Sequence, residues 1–445
     1  MSPTPDPGFL KRLTGSRPAR NASVVLAGQT AGKVSFLASM MMLSRLLPDG
    51  DLGSLMLAVA VSQVVVFLSD MGVSVILNRK LVLTGRSGES FLGPAFAARC
   101  LLWLAGSALL LAGSAVSGYE GRLQALFAIL FVSAGLEAMC EQCFALFRAR
   151  ERMGWEASAR ASGAVAGLAF AAACFLGGAG LLAAAVSFPL RNAVSLAVAL
   201  YGQARLGAGL RLPAGWPGIS RSIVAESLSM GVTGLLFIAL QRMDSVFIDR
   251  MIGAPAVGAF QQCYRIADSL VFLVAPTLLP GALFPGLCRA VAGGRTSAGR
   301  HMRRLGALFL AMAALTALPV ALAGEPLLRL IWGPGYLRGL APGEMGTLLT
   351  LTMATVPCFF VMHLTLTGLI AAGRQKSTVL PVVLAIVLSA VSYRILIPVE
   401  GLRAVPEVIS AVNILLALAF GAALHRGLGS CTVPSAVPLV IQHDQ

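Results

Sequence analysis

The chain has 445 residues, of which 57% are hydrophobic and only 12% charged, with a mean hydropathy of +0.82; an ordinary soluble domain carries about 25% charged residues. That balance excludes a soluble globular protein and places the chain in a bilayer. The formal charge of +15 would suit nucleic acid, but the basic residues lie between apolar runs or near their ends, which excludes that partner.

A spanning helix needs roughly 20 mainly apolar residues, and twelve such runs follow one another. The first six are 22–46, 53–76, 92–116, 123–147, 157–176 and 179–202. The second six are 221–248, 256–286, 304–324, 343–371, 377–397 and 403–425. Unpaired backbone groups are costly in lipid, so each run is predicted to be a helix. The expected fold is an all-α integral membrane protein with two parallel-repeat six-helix bundles around a central cavity. Its divisions are a basic cytoplasmic tail (1–21), an N-terminal bundle (22–202), an interfacial linker (203–220), a C-terminal bundle (221–426) and a cytoplasmic tail (427–445).

Orientation follows from charge. With the N-terminus inside, the inner segments hold Lys11, Arg12, Arg17, Arg20, Arg79, Lys80, Arg86, Arg148, Arg150, Arg152 and Arg160, and later Arg205, Arg211, Arg221, Arg289, Arg295, Arg300, Arg303, Arg304, Arg374, Lys376 and Arg426. The outer segments hold few, among them Arg45, Arg122, Arg250 and Arg403. The excess is roughly three to one inward, which puts both termini in the cytoplasm. The stretch before residue 21 contains Pro3, Pro5 and Pro7 and no apolar core of its own, so a cleavable signal peptide is not expected.

Cys140 and Cys143 form a CxxC. No second pair or histidine accompanies them, and they read as a packed pair on one helix rather than a metal or redox site. The gaps between spans are too short for a catalytic domain. No nucleophile is paired with a base, and no phosphate-cradling loop or metal spacing occurs. The expectation is a transporter with no cofactor, leaving proton or sodium coupling open.

Residues 44–70 align without gaps on 249–275 at a shift of 205, placing Arg45 on Arg250, Gly53 on Gly258 and Val66-Phe67-Leu68 on Val271-Phe272-Leu273. Chance likeness between two apolar hairpins is the rival explanation. An even shift of six spans returns each helix to its original direction, so the repeats are parallel and can enclose a central path.

Lys33, Arg99, Arg191, Arg242 and Arg265 fall inside spans. At roughly 2.5–3.5 kcal/mol each near the bilayer centre, lipid exposure of all five would cost on the order of 12–18 kcal/mol. They are therefore expected to face a charge, a headgroup or a polar cavity, and are candidate substrate contacts. Gln29 and Lys33 lie at i and i+4, and Gln261, Arg265 and Asp268 at i, i+4 and i+7, each set on one helix face. Ser133, Glu137 and Glu141 form a similar stripe. Glu137, Glu141, Asp244 and Asp268 are candidates for ion coupling or for structural pairing with the arginines. In "QRMDSVFIDR" (241–250), Asp249 and Arg250 are expected at the outer headgroup level, with Arg242 and Asp244 deeper.

Several motifs resemble bacterial polysaccharide flippases of the multidrug/oligosaccharidyl-lipid/polysaccharide exporter superfamily. The opening hairpin "LSRLLPDGDLGSLMLAVAVSQVVVFLSDMGVSVILNRK" supplies Arg45, Gly53, Asp70 and Gly72 in the family's order. The second half supplies Asp244, "APAVGAF" at 254–260, "YRIADSL", Phe284-Pro285 and "IWGPGYL" at 331–337. Phe260 and Cys263 depart from the family's usual tyrosine and alanine. The resemblance implies translocation of an undecaprenyl-diphosphate-linked oligosaccharide across the bacterial inner membrane by alternating access. It further implies work beside a polysaccharide polymerase and export machinery in O-antigen, capsule or exopolysaccharide assembly. The cations would neutralise diphosphate, and Gln29 and Gln261 would replace water at sugar hydroxyls. The alternatives are a multidrug exporter of the same superfamily, disfavoured by Lys33 and Gln29 where cation exporters commonly carry carboxylates, and a glycan polymerase or ligase, disfavoured by the short outer loops.

Overall fold

The computed structural model describes residues 17–84, 89–119, 121–278, 287, 290–291, 294–333, 340, 343–372 and 374–430. Among them there is no strand. The helices are α1 (Arg17–Leu46), α2 (Asp49–Asp70), α3 (Val73–Thr84), α4 (Leu92–Val116), α5 (Arg122–Ala149), α6 (Gly154–Leu176), α7 (Leu181–Ala185), α8 (Ser187–Arg205) and α9 (Trp216–Met251). They continue with α10 (Ala254–Leu278), α11 (Arg295–Trp332), α12 (Glu344–Ala371), α13 (Val379–Glu400) and α14 (Ala404–Ser430). Nine helical stretches among the described residues are long and apolar enough to cross a membrane. One of these, Lys376–Arg426, takes in α13 and most of α14, and α1 adds a shorter apolar part, Val34–Leu46. "Phe284-Pro285" and most of the "IWGPGYL" turn lie outside the described residues.

Three spans are more broken than apolar length foretold. The run expected over 53–76 stops at Asp70, because Met71 and Gly72 turn left-handed (φ 40° and 81°). Asp70 then accepts the backbone N–H of Ser74 (3.1 Å) and its hydroxyl (2.9 Å), holding the start of α3. The run expected over 179–202 is divided into α7 and α8. The run over 304–324 extends to Arg295–Trp332, with a kink at Gly324 (φ 48°, ψ −132°) that a side chain would strain.

Two compact units divide the chain: Met1–Gln262 with Glu325–Met345, and Cys263–Gly324 with Gly346–Gln445. In the first, α1 lies on α6, α6 on α8, α8 on α5, α5 on α2, and α2 on α4 and α9. Small residues set the closest approach. Ala159, Gly163, Gly167 and Ala171 recur every fourth residue along α6 and are all buried. A Cβ at Gly163 would stand 1.9 Å from the Ser195 hydroxyl and 2.5 Å from the Arg191 carbonyl, so α8 runs against bare backbone, and the Ser195 hydroxyl donates to Ala159 O at 2.9 Å. With no hydrophobic drive between helices in lipid, such contact and bonding hold them together.

One end of this unit is filled by Val73, Leu77, Leu81, Leu92, Ala95, Leu146 and Ile223. Ala208, from the 203–220 segment, is buried among them, while the Arg211 backbone crosses Gly93 where a Cβ would lie 2.0 Å from its carbonyl oxygen. The segment is thus anchored at Ala208 and at the Arg211 backbone, while Leu210 and Leu212 between and beside them are exposed. Cys140 and Cys143 pack with Phe144, Phe147, Ala159 and Ala199 as core residues. In the second unit α13 packs on α14, and α11 meets α12 through stacked Phe309 and Phe360, 5.6 Å apart.

Candidate functional site

The charges inside the helices divide by what surrounds them. Arg99 on α4 is 1% exposed. It donates to Ala138 O on α5 at 2.7 Å and pairs with Asp70, the residue that caps α3. Its charge is thus neutralised within the bend between α2 and α3, a buried arrangement in which every donor needs a fixed partner.

Glu141 sits in a second neutralised cluster, at the hairpin between α5 and α6. Arg148 donates to Glu156 at 2.9 and 2.6 Å and reaches Glu141 at 3.3 Å. Arg160 bonds Glu141 at 2.5 Å and Glu156 at 3.1 Å, with its guanidinium 4.6 Å from the Phe144 ring centre. Glu156 is fully buried and was not singled out from sequence, although its i, i+4 spacing to Arg160 was readable. For Glu141 the structural pairing of the two sequence alternatives has a visible geometry. Glu137, one turn earlier, is half-buried.

Arg191 stands apart. It lies ten residues into the stretch Leu181–Arg205, about 15 Å from that stretch's start at 1.5 Å per residue. It is half-buried, with its stem against Gly167 and its guanidinium carbon 6.0 Å from the Phe36 ring centre. Among the described residues no carboxylate pairs with it. Beside it Asn192 donates to the Ser133 carbonyl and hydroxyl, both at 3.0 Å, so Ser133 is tied to α8 rather than left in an acidic stripe. Gln29 and Lys33 belong to α1, which crosses α6 nearby: the Ser35 hydroxyl donates to Ala164 O at 2.8 Å. The side chains of Gln29 and Lys33 lie outside the described part.

A third group joins α9 and α10. Asp244, Ser245 and Gln261 are 2%, 0% and 0% exposed. The Ser245 hydroxyl donates to Asp244 at 3.0 Å, and the Gln261 amide donates to Ser245 at 2.8 Å. Arg242, on the same helix, is half-buried, as is Asp249, while Asp244 is buried. Arg265 and Asp268, one and two turns past Gln261, are half-buried and fall in the second unit. The expected solvated pair at the end of α9 is more engaged than foreseen. Asp249 accepts the Tyr119 hydroxyl at 2.7 Å, and Arg250 lies 3.9 Å over the Tyr119 ring and donates to Ser117 O. Burial first, then the bond to Asp249, pushes the Tyr119 phenol up to about 12.

Chemically, the guanidinium and amide groups are hydrogen-bond donors of the kind that suit anions and hydroxyls. The described residues contain no cluster of metal-ligating side chains.

The fold is shared with solved transporters. An inward-facing multidrug resistance MATE family transporter of the MOP superfamily superposes with a TM-score of 0.69 at 14% identity, covering 93% of this chain and all of that one. The lipid II flippase MurJ, in an inward closed conformation, gives 0.68 at 10% identity over 89% of this chain and 86% of that one. A MOP superfamily transporter from Pyrococcus furiosus gives 0.65 at 14% identity over 94% and 97%. No curated protein matches in sequence. The profile of the family described as "Polysaccharide biosynthesis protein" matches residues 19–291, more than half of the chain, and the chain belongs to that family as a multi-pass membrane protein with the MOP-superfamily transporter fold.

Proposed function

We propose that the chain flips an undecaprenyl-diphosphate-linked oligosaccharide from the cytoplasmic to the outer leaflet of a bacterial inner membrane, with both termini in the cytoplasm. The family match over 19–291 carries this reading, because it ties the transporter fold to polysaccharide assembly. Arg191 supports it as a cation held in mid-span against an aromatic ring with no carboxylate paired to it among the described residues. Such a group can attract a diphosphate without first breaking an ion pair, whereas Arg99 would have to leave Asp70. Lys33, Arg242 and Arg265 complete the candidate anion contacts, with Gln29 and Gln261 for sugar hydroxyls. Glu137, Glu141, Asp244 and Asp268 are the candidate carboxylates for proton or sodium coupling or for structural pairing, Glu141 being the one bonded to Arg148 and Arg160. A polysaccharide polymerase and export machinery are the expected partners.

The test is deletion in the native bacterium, followed by extraction of undecaprenyl-linked glycans and their assignment to a leaflet. Accumulation of a complete repeat unit facing the cytoplasm is expected. Normal lipid-linked glycans with altered drug sensitivity would replace the proposal with the exporter that the MATE structures exemplify. Complementation by neutral variants of Lys33, Arg99, Arg191, Arg242 and Arg265, with surface levels checked, then ranks the contacts, Arg191→Gln being the most damaging. Normal export in all five would end the assignment of cations to the diphosphate.

A further inference from the structure

Several basic residues of the first unit stand in ion pairs. Lys80 pairs with Glu226, Arg99 with Asp70, Arg150 with Glu89, and Arg148 and Arg160 with Glu141 and Glu156. In the second unit, one end gathers cations without carboxylates. The start of α11 and the ends of α12 and α14 meet there: a Cβ on Gly368 would lie 2.8 Å from Leu424 and 3.3 Å from Met302. Arg300, Arg303 and Arg304 are exposed at the start of α11, Arg374 and Lys376 follow α12, and Arg426 is exposed near the end of α14. Stretches 294–310, 361–380 and 416–430 contain no aspartate or glutamate. Among the described residues, no carboxylate pairs with any of these six.

Their position on the helix is as informative as their number. Ala298, Leu305, Phe309, Ala313 and Ala317 form the buried face of α11. Arg300 and Arg304 lie on the opposite side, in line with Leu308, Leu315, Leu318 and Leu322, which are 47%, 76%, 56% and 79% exposed. From Arg304 to Leu322 is about 27 Å of helix, close to the roughly 30 Å hydrocarbon thickness of a bilayer. The leucine stripe therefore meets acyl chains, and the arginines stand at the adjoining phosphate level on the side that faces lipid.

We infer that this rim of the second unit is a docking surface for anionic phospholipid headgroups of the surrounding bilayer. Guanidinium groups at that depth can each take a phosphodiester by charge-assisted hydrogen bonds, and no internal carboxylate competes. The cations are spread over three helix ends, which fits several single-charge headgroups better than one enclosed diphosphate. The inference is independent of which substrate the transporter carries.

The experiment titrates phosphatidylglycerol, with phosphatidylcholine as the neutral control, into the full chain in uncharged detergent and counts bound lipid by native mass spectrometry. At roughly fivefold per basic residue near a headgroup, Arg300→Gln/Arg303→Gln/Arg304→Gln should raise the phosphatidylglycerol midpoint about a hundredfold. The matching triple lysine variant should stay within about fivefold of the parent, which separates charge from folding. Lys376→Gln/Arg426→Gln should raise the midpoint about 25-fold on the same scale. An unchanged midpoint in the glutamine triple, or equal binding of phosphatidylcholine, would overturn the inference. So would undecaprenyl diphosphate binding at the rim while phosphatidylglycerol does not, because the rim would then serve substrate.

Discussion

Glu156→Gln isolates one charge in the α5–α6 hairpin. The substitution preserves side-chain size and leaves an acceptor oxygen, but converts a neutral set of two carboxylates and two guanidiniums into one with an excess positive charge. Glu156 is fully buried, with Arg148 at 2.6 Å and Arg160 at 3.1 Å. Removing one partner of a buried ion pair costs about 3–5 kcal/mol. The Arg148 and Arg160 side chains are 34% and 25% exposed, so water recovers part of that, and the expected loss is about 3 kcal/mol, at the lower end of that range. Glu156→Gln/Arg160→Gln restores neutrality and should lose less than the sum of its single variants, by about 1–3 kcal/mol. Unfolding in mixed micelles, followed by circular dichroism and by the fluorescence of Trp155, whose ring packs edge-on to Tyr201 at 5.7 Å, measures both. A single variant within about 0.5 kcal/mol of the parent, or additive losses to that precision, would refute the view that the cluster acts as one charge-balanced unit.

Close approach at α6 predicts a graded response. Gly163→Leu meets the Arg191 carbonyl and should abolish folded yield in size-exclusion chromatography, whereas Gly167→Ala meets the Arg191 Cβ at 2.9 Å, asks α8 for a small shift, and should cost about 1–3 kcal/mol. Gly53→Ala, placing a methyl 1.7 Å from Ala254 O, should likewise fail to fold. Gly113→Ala, with no atom within 4 Å, should be neutral or stabilise by up to about 1 kcal/mol; equal yields of the two would contradict the packing. Tyr119→Phe should remove a phenol component titrating near 12 from the ultraviolet difference spectrum. Because folding raises that pKa, the bond's contribution is full below the ordinary phenol range near 10 and fades as pH rises through about 12; a component remaining in the variant would assign it to another tyrosine.

Apolar length alone placed most helices, since a bilayer permits little else along a 20-residue run. What it could not place were the interruptions at Met71–Gly72, Val186 and Gly324, which depend on backbone angles and local caps that hydropathy averages away. Among the candidate residues, the sequence located cations within spans and could not see their partners. Arg99 meets Asp70 across 29 positions and Arg160 meets Glu141 across 19, separations that only helix packing closes. Asn192 and Tyr119 were missed for the same reason: a lone amide or phenol has no periodic signal until Ser133 or Asp249 stands opposite.

The 205-residue shift acquires physical content from three contacts. Gly53 and Gly258, matched in the two repeats, stand against each other: a Cβ on Gly258 would lie 3.4 Å from the Gly53 nitrogen. Matched residues meet where an axis relating two repeats passes, and contact of this pair is the geometry that a parallel repeat with its axis at this point would have. The matched arginines extend the pattern. Arg45, at the end of α1, donates to Leu330 O, beyond the ninth apolar run, at 3.3 Å, and Arg250, at the end of α9, donates to Ser117 O, beyond the third. Each repeat's arginine thus bonds the carbonyl that follows the third run of the other, an exchange that explains why both positions keep a long cation at the edge of an apolar helix. The four charges of 241–250 then have separate settings: Asp249 accepts the Tyr119 hydroxyl and Arg250 donates to Ser117 O, Asp244 is bonded within the α9–α10 pair, and Arg242 lies half-buried on α9.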